Sequence, residues 1–257
     1  MLNKLIIILI LLFSSKTLLA EKKQHLTILA PQNMSFALNE IMQTYATSNN
    51  ISLSGSFANT QNNINKIIEG ESADIIITDH PEWIKYLKQK GVINVTSITN
   101  LVEDKLVLVA NNNFYQNNKS KIAELNDIND KLNFYKNLTI FIPNWSIDMT
   151  GLYIHEAIKK IPYIYNESNN IIETIYLKKE ITEINDALAV IKYSNAFDSS
   201  KFTIIETINK ELHPQFIYQI SIIAGSNQEN SNKFINYLKS RKSIAIFKKY
   251  GFETDYK

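Results

Sequence analysis

The chain has 257 residues, of which 45% are hydrophobic and 20% are charged, a composition typical of a globular protein rather than a disordered one. It contains no cysteine, which excludes disulfides, thiolate metal sites and a cysteine nucleophile. The formal net charge is +2 and falls to zero if Lys4 and Lys16 are removed with an N-terminal signal. A neutral chain has no overall positive field to collect nucleic acid or an acidic membrane surface.

The N-terminus is typical of a secretory signal peptide. Lys4 precedes an apolar stretch at residues 5–13 that is too short to span a bilayer, and a small residue, Ala20, precedes the predicted cleavage point. An uncleaved N-terminal anchor is the alternative. No lipid-accepting cysteine lies near the cleavage point, so a soluble periplasmic protein is predicted rather than a lipoprotein.

Apolar runs of strand length then alternate with helical patterns. The predicted strands are residues 26–30, 51–57, 73–77, 105–110, 138–142, 187–192 and 216–224. Helical spacing of apolar residues follows most of these runs, first at Met34, Ala37, Leu38, Ile41 and Tyr45 and last at Phe234, Ile235, Leu238, Ile246, Phe247 and Tyr250. This alternation predicts largely parallel sheets covered by helices.

Ligands of open parallel sheets bind beyond the carboxyl ends of the strands, where loops enter helices. The loops in that place are residues 31–35, 57–61, 78–81, 144–151 and 193–196. They are rich in hydroxyl and amide side chains and poor in charge. We therefore expect a polar, weakly charged ligand site.

The motifs of common enzymes are missing from the sequence. It has no Gly-x-Ser-x-Gly elbow and no glycine-rich phosphate loop, and His155-Glu156 is followed by Lys159 where a zinc-protease helix has its second histidine. Asp79-His80 is a carboxylate–imidazole pair at a strand end, but no nucleophile completes it. A binding protein that uses no cofactor or metal is favoured over an enzyme.

Several stretches together resemble the periplasmic molybdate-binding proteins of bacterial ABC importers. In chain order they are residues 27–30 with the helix over 33–41, residues 56–60, residues 68–70, residues 73–78 with Trp83, residues 150–153 with 156–157, and residues 237–238 with 246–252. Each motif is weak alone, but their order and spacing match the family over almost all of the mature chain.

The resemblance implies a two-lobed periplasmic-binding-protein fold, each lobe a mixed, mostly parallel sheet flanked by helices, joined by two hinge strands. The expected boundaries are 1–20 for the signal peptide, 21–105 for the first lobe, 106–221 for the second, and 222–257 for the return to the first. The implied ligand is a tetrahedral oxyanion, molybdate or tungstate, bound without a cofactor. The implied partner is the membrane permease of an ABC importer, and the protein itself is expected to be a monomer.

The resemblance also implies a set of ligand-binding residues. Asn33 and Thr60 stand where the family has its two ligand-binding serines, and Thr150 and Ile171 match positions that donate backbone amides. Tyr193 matches the tyrosine whose hydroxyl reaches the anion. Amides at helix N-termini and neutral hydroxyls can hold a dianion without a counter-charge.

Three departures from the family pattern bear on the ligand. Asn33 replaces a hydroxyl with a bulkier amide, and Thr60 adds a methyl group; simple helix capping is the alternative role for both. Asp79 stands where a small residue is expected near the site. A carboxylate pointing inward would repel a dianion, so we expect Asp79 to face solvent or to cap the helix that carries Trp83.

The sequence is also compatible with three rival functions. The same fold could bind a cation-bearing or uncharged molecule through Asp79 and Asn33. An exported hydrolase or transferase could use Asp79 and His80. A module that has lost its ligand pocket could dock on a partner protein instead.

Overall fold

The computed structural model describes residues 24–146, 149–184, 186–197, 200 and 202–254. The predicted signal peptide and its cleavage point lie outside the described residues. Within them, no helix combines the length and apolar character needed to cross a membrane.

Two five-stranded mixed sheets form the framework. The first has the order β2-β1-β3-β10-β4, in which β1 pairs in parallel with β2 and β3, and β10 runs antiparallel to β3 and β4. Its strands are β1 (His25–Pro31), β2 (Ser52–Ala58), β3 (Ile75–Thr78), β4 (Thr99–Asp104) and β10 (Phe216–Ile222).

The second sheet has the order β7-β6-β8-β5-β9. Strand β6 pairs in parallel with β7 and β8, and β5 runs antiparallel to β8 and β9. Its strands are β5 (Leu106–Asn111), β6 (Thr139–Pro143), β7 (Asn170–Thr174), β8 (Ala187–Lys192) and β9 (Phe202–Thr207).

Ten α-helices connect and cover the strands in the described part of the chain. They are α1 (Ser35–Asn49), α2 (Thr60–Ile68), α3 (Pro81–Gln89), α4 (Asn112–Ala123), α5 (Ile128–Phe134), α6 (Met149–Ile158), α7 (Leu177–Glu183), α8 (Tyr193–Ala196), α9 (Gln228–Leu238) and α10 (Arg241–Lys249). Short 3-10 turns occur at Gln32–Met34, Val95–Ser97 and Lys210–Leu212.

Each sheet is buried on both faces, as expected of strands with continuous apolar runs. In β1, Ile28 packs into the core under α1, α9 and α10, whereas its neighbour Leu29 packs into the core under α2 and α3. The second sheet is covered in the same way, with Ile154 of α6 on one face and Ile181 of α7 on the other. The two-lobed α/β fold predicted from the sequence is confirmed.

The chain passes between the two sheets twice. Lys105 alone separates β4 of the first sheet from β5 of the second, and the return lies between Thr207 and Phe216. The predicted boundary assigns residues 216–221 to the second lobe, but β10 lies wholly in the first sheet, where it pairs with β3 and β4. The apolar sequence of this strand does not indicate which of the two sheets it joins.

Candidate functional site

A cavity of about 210 Å³ lies between the two lobes, at the carboxyl ends of β1, β3, β6 and β8. Loops from both sheets line it, as expected for ligand sites of open α/β sheets. The lining residues are Pro31, Gln32, Asn33, Asn59, Thr60, Asp79, Pro143, Thr150, Lys192 and Asn195.

The Asp79 carboxylate is the centre of the cavity's hydrogen bonding. It follows β3, is only 8% exposed, and accepts a bond at Oδ1 from the Thr60 hydroxyl at 2.6 Å. At Oδ2 it accepts bonds from the Thr150 hydroxyl at 3.2 Å and from Lys192 Nζ at 3.0 Å. Asp79 and Thr60 belong to the first lobe, and Thr150 and Lys192 belong to the second. Donors from both lobes therefore meet on one anionic group.

The prediction that Asp79 faces solvent or caps a helix is wrong. Its neighbour His80 caps α3 instead, because His80 Nδ1 accepts a bond from the backbone N–H of Glu82 at 3.2 Å. The fixed φ of Pro81 at the first helical position favours this helix start. With His80 at the cap, Asp79 one residue earlier turns into the cleft.

The charge of Asp79 is retained despite its burial. Burial alone would raise the pKa of this carboxyl, but the charge of Lys192 and the hydrogen bonds from Thr60, Lys192 and Thr150 outweigh burial and hold the pKa below its usual value. Asp79 and Lys192 therefore form a buried ion pair, to which Thr60 and Thr150 add neutral donors.

Lys192 is the functional residue that the sequence analysis missed. It is the last residue of β8, is 4% exposed, and its ammonium lies 5.2 Å from the Tyr218 ring centroid and 5.9 Å from that of Phe216. Aromatic faces at this range attract a cation. The available signal was a lysine closing an apolar strand, Ala187–Lys192, directly before a predicted ligand loop.

A second hydrogen-bond network adjoins the cavity and also joins the lobes. Asn33 Nδ2 donates to the Ser194 hydroxyl at 2.7 Å and to the Tyr218 hydroxyl at 2.5 Å. Ser194 and Tyr218 in turn donate to Oδ2 of Asp104, at 2.5 and 3.3 Å. Burial raises the pKa of Asp104; the charge of Lys192, the Ser194 hydroxyl bond and the backbone N–H bonds from Lys105 and Ser194 offset only part of that rise.

Three of the five predicted ligand residues, Asn33, Thr60 and Thr150, line the cavity together. For Thr60 the neighbouring residue takes the capping role: Asn59 caps α2 by accepting from the backbone N–H of Asn62. Within the described residues, Asn33 caps no helix through its side chain.

The other two predicted residues lie away from the cavity lining. Ile171 sits in β7, where it pairs with Ile140 and packs against the second-sheet core. The Tyr193 ring lies under the Lys105 ammonium at 4.7 Å and tightly against Gly251. Lys192 ends β8 and lines the cavity, whereas Tyr193 begins α8 and its ring packs outside the cavity lining.

Asp79 and His80, suggested as a catalytic pair, do not hydrogen-bond to each other in this structure. The bonds described for Asp79 come from Thr60, Thr150 and Lys192, and the His80 ring stacks on Tyr153 with centroids 4.3 Å apart. Burial lowers the pKa of His80. No cluster of histidine and carboxylate side chains suited to a metal ion occurs in the part of the chain that is described.

Comparison with known proteins agrees with this architecture. The family model for bacterial extracellular solute-binding proteins matches residues 26–253. The molybdate-binding protein ModA of Escherichia coli (strain K12) is 24% identical over 233 residues, which cover 88% of each chain.

Two solved structures share the fold at low sequence identity. The periplasmic molybdate-binding protein of Azotobacter vinelandii superposes with a TM-score of 0.69 at 15% identity, covering 90% of this chain and 100% of that one. The tungstate-binding protein TupA of Desulfovibrio alaskensis G20 superposes with a TM-score of 0.63 at 13% identity, covering 91% of this chain and 100% of that one. The resemblance noted in the sequence is confirmed, and the chain belongs to the bacterial extracellular solute-binding protein family.

Proposed function

We propose that this protein captures a small tetrahedral oxyanion outside the cytoplasm and delivers it to the permease of an ABC importer. One observation carries the proposal: Thr60, Thr150 and Lys192 converge from two lobes on a single anionic group. A carboxylate is itself an oxyanion, so a cleft that holds Asp79 in this way is chemically suited to an oxyanion, and the Lys192 ammonium can attract a ligand anion beside Asp79.

Delivery follows from the position of the donors. A ligand held from both lobes favours the closed arrangement over the open one, and closure is the signal that a permease can recognise. Relatives named for molybdate and tungstate make these the first anions to test. We propose a monomer that acts in the periplasm after signal removal and changes no covalent bond of its ligand.

A cation-bearing or uncharged ligand is the second candidate, because Asp79 lies in the cavity lining. Asp79 is less available to such a ligand than its position suggests. Lys192 at 3.0 Å already balances its charge, so the pair presents little net negative charge to attract a cation.

Calorimetric titration of residues 21–257 with molybdate, tungstate, sulfate and phosphate tests the function. We expect one-to-one binding of at least one anion, lost in Lys192→Met and kept in Lys85→Met. Lys85 is the matched control because its side chain is 65% exposed and pairs with Glu82 outside the cavity. Failure of all four anions to bind would contradict the proposal and leave the second candidate.

A further inference from the structure

Building on the oxyanion function above, we propose that Asp79 determines ligand specificity: it admits tetrahedral oxyanions that carry a proton and excludes those that carry none. The basis is the arrangement of the site. The Lys192 ammonium that would attract an anion is already 3.0 Å from Asp79 Oδ2. An anion placed on Lys192 therefore meets the carboxylate as well.

Whether the contact with Asp79 is favourable depends on whether the ligand carries an O–H hydrogen. A fully deprotonated oxyanion has only acceptor oxygens, as the ionised Asp79 carboxylate does. No hydrogen bond can form between them, and their negative charges repel each other. An oxyanion with an O–H group can donate that hydrogen to Asp79 and accept bonds elsewhere. Hydrogen bonds to ionised groups are roughly twice as strong as neutral ones, so this one contact separates the two classes.

The net charge of the site points the same way. Of the described residues that line the cavity, only Asp79 and Lys192 are charged, and the other polar side chains are amides and hydroxyls. Asp104 lies behind Ser194, at 2.5 Å from its hydroxyl, and adds a further carboxyl to this region. The described lining therefore has no excess positive charge that could balance the two negative charges of a fully deprotonated dianion.

Displacement of Asp79 by the ligand is a costly alternative. The carboxylate would leave three hydrogen bonds, and it would separate from Lys192 in a buried site where an unpaired charge is strongly destabilising. A ligand that binds beside Asp79 and shares a proton with it avoids that cost.

The ligand class that fits this site is a tetrahedral oxyanion that carries a proton near neutral pH. Inorganic phosphate, arsenate and phosphomonoesters exchange a proton near neutral pH, so the protonated form is available to the site. Sulfate, molybdate and tungstate are fully deprotonated at neutral pH. Sites built to bond a ligand hydrogen can reject an analogue that lacks it by about 10⁴-fold.

Phosphate and sulfate are a matched pair for the test, because both are small tetrahedral anions and they differ mainly in the proton. Calorimetry at neutral pH is expected to give the wild-type protein at least about a hundredfold preference for phosphate over sulfate. In Asp79→Asn we expect sulfate, molybdate and tungstate to bind more tightly and the preference to fall below about tenfold. Glu82→Gln removes an exposed carboxylate three residues away and should keep the wild-type preference.

The possible results are distinct. Equal wild-type affinity for sulfate and phosphate, or an unchanged preference in Asp79→Asn, would overturn the role of Asp79 while leaving oxyanion binding intact. Absence of binding by all four anions in both proteins would overturn the oxyanion function itself. If Asp79→Asn does not fold, the wild-type protein alone tests the role of Asp79. A preference for phosphate over sulfate of less than about tenfold would then overturn that role.

Discussion

At the scale of single residues, the site depends on two buried charges that need each other. Asp79 and Lys192 are 8% and 4% exposed and meet at 3.0 Å. Taking either charge out of water costs several kcal/mol, and their attraction repays this only with good geometry and further hydrogen bonds. Thr60 and Thr150 supply such bonds to Asp79.

Lys192→Met is expected to lower the free energy of unfolding by about 3–5 kcal/mol, because it leaves Asp79 charged, buried and without its cation. Asp79→Asn/Lys192→Met should recover a large part of that loss, since it removes both charges. Urea unfolding of the two variants and the wild type provides the measurement. A double variant no more stable than Lys192→Met would show that the pair is not the source of the effect.

Part of this site could be predicted from the sequence, but the inward-facing ion pair at its centre could not. The rule that loops after strands gather at one edge of a sheet predicted the ligand loops, and the family resemblance named Asn33, Thr60 and Thr150 within them. The direction of Lys192 and Asp79 could not be predicted, because it depends on where β8 ends and on His80 taking the helix cap. A difference of one residue along a strand moves a side chain to the opposite face.

At the scale of elements, the start of α6 is held close to the end of β6. A Cβ atom on Gly151 would lie 2.7 Å from the backbone oxygens of both Pro143 and Asn144, so only glycine fits there. This contact sets the position of Thr150, one residue earlier, whose hydroxyl reaches Asp79. The sequence predicts this loop and helix, but it does not predict how close the start of α6 lies to the end of β6.

Gly151→Ala is therefore expected to lower the free energy of unfolding by about 1–3 kcal/mol and to weaken anion binding as well. Gly91→Ala is the comparison, because Gly91 has a φ of +68°, has open space around it and is not part of the cavity lining. Its strain should cost about 1 kcal/mol of stability and leave anion affinity unchanged. Parallel urea unfolding and calorimetry test both; equal loss of affinity in the two variants would contradict a local role for Gly151.

At the scale of the whole molecule, polar contacts between side chains hold the lobes together. Asp79 with Thr150 and Lys192, and Asn33 with Ser194, link the first sheet to the second across the cleft. The two-lobed architecture could be predicted from the alternation of strands and helices. The assignment of β10 to the first sheet could not, because strand pairing depends on contacts distant in sequence.

The two buried carboxyls at the lobe junction should give stability opposite dependences on pH. The pKa of Asp79 is lowered, so its contribution is present above its unfolded pKa and is lost as pH falls through the folded value. The pKa of Asp104 is raised, so its contribution is present below the unfolded pKa and is lost as pH rises through the folded value.

Asp104→Asn should therefore gain stability relative to the wild type as pH rises from about 4 to 7, whereas Asp79→Asn should lose relative stability as pH rises from the acid range. Urea unfolding from the acid range, below about pH 4, up to about pH 7 measures both differences. Differences of the same sign would contradict the assignment of opposite pKa shifts to these two carboxyls.

The most direct test of oxyanion capture is a crystal structure with an anion that gives anomalous scattering, molybdate or arsenate, whichever binds more tightly in titration. We predict one anomalous peak in the 210 Å³ cavity, within hydrogen-bond distance of Lys192 and in contact with both lobes. An empty cavity, or peaks confined to the outer surface, would contradict the account.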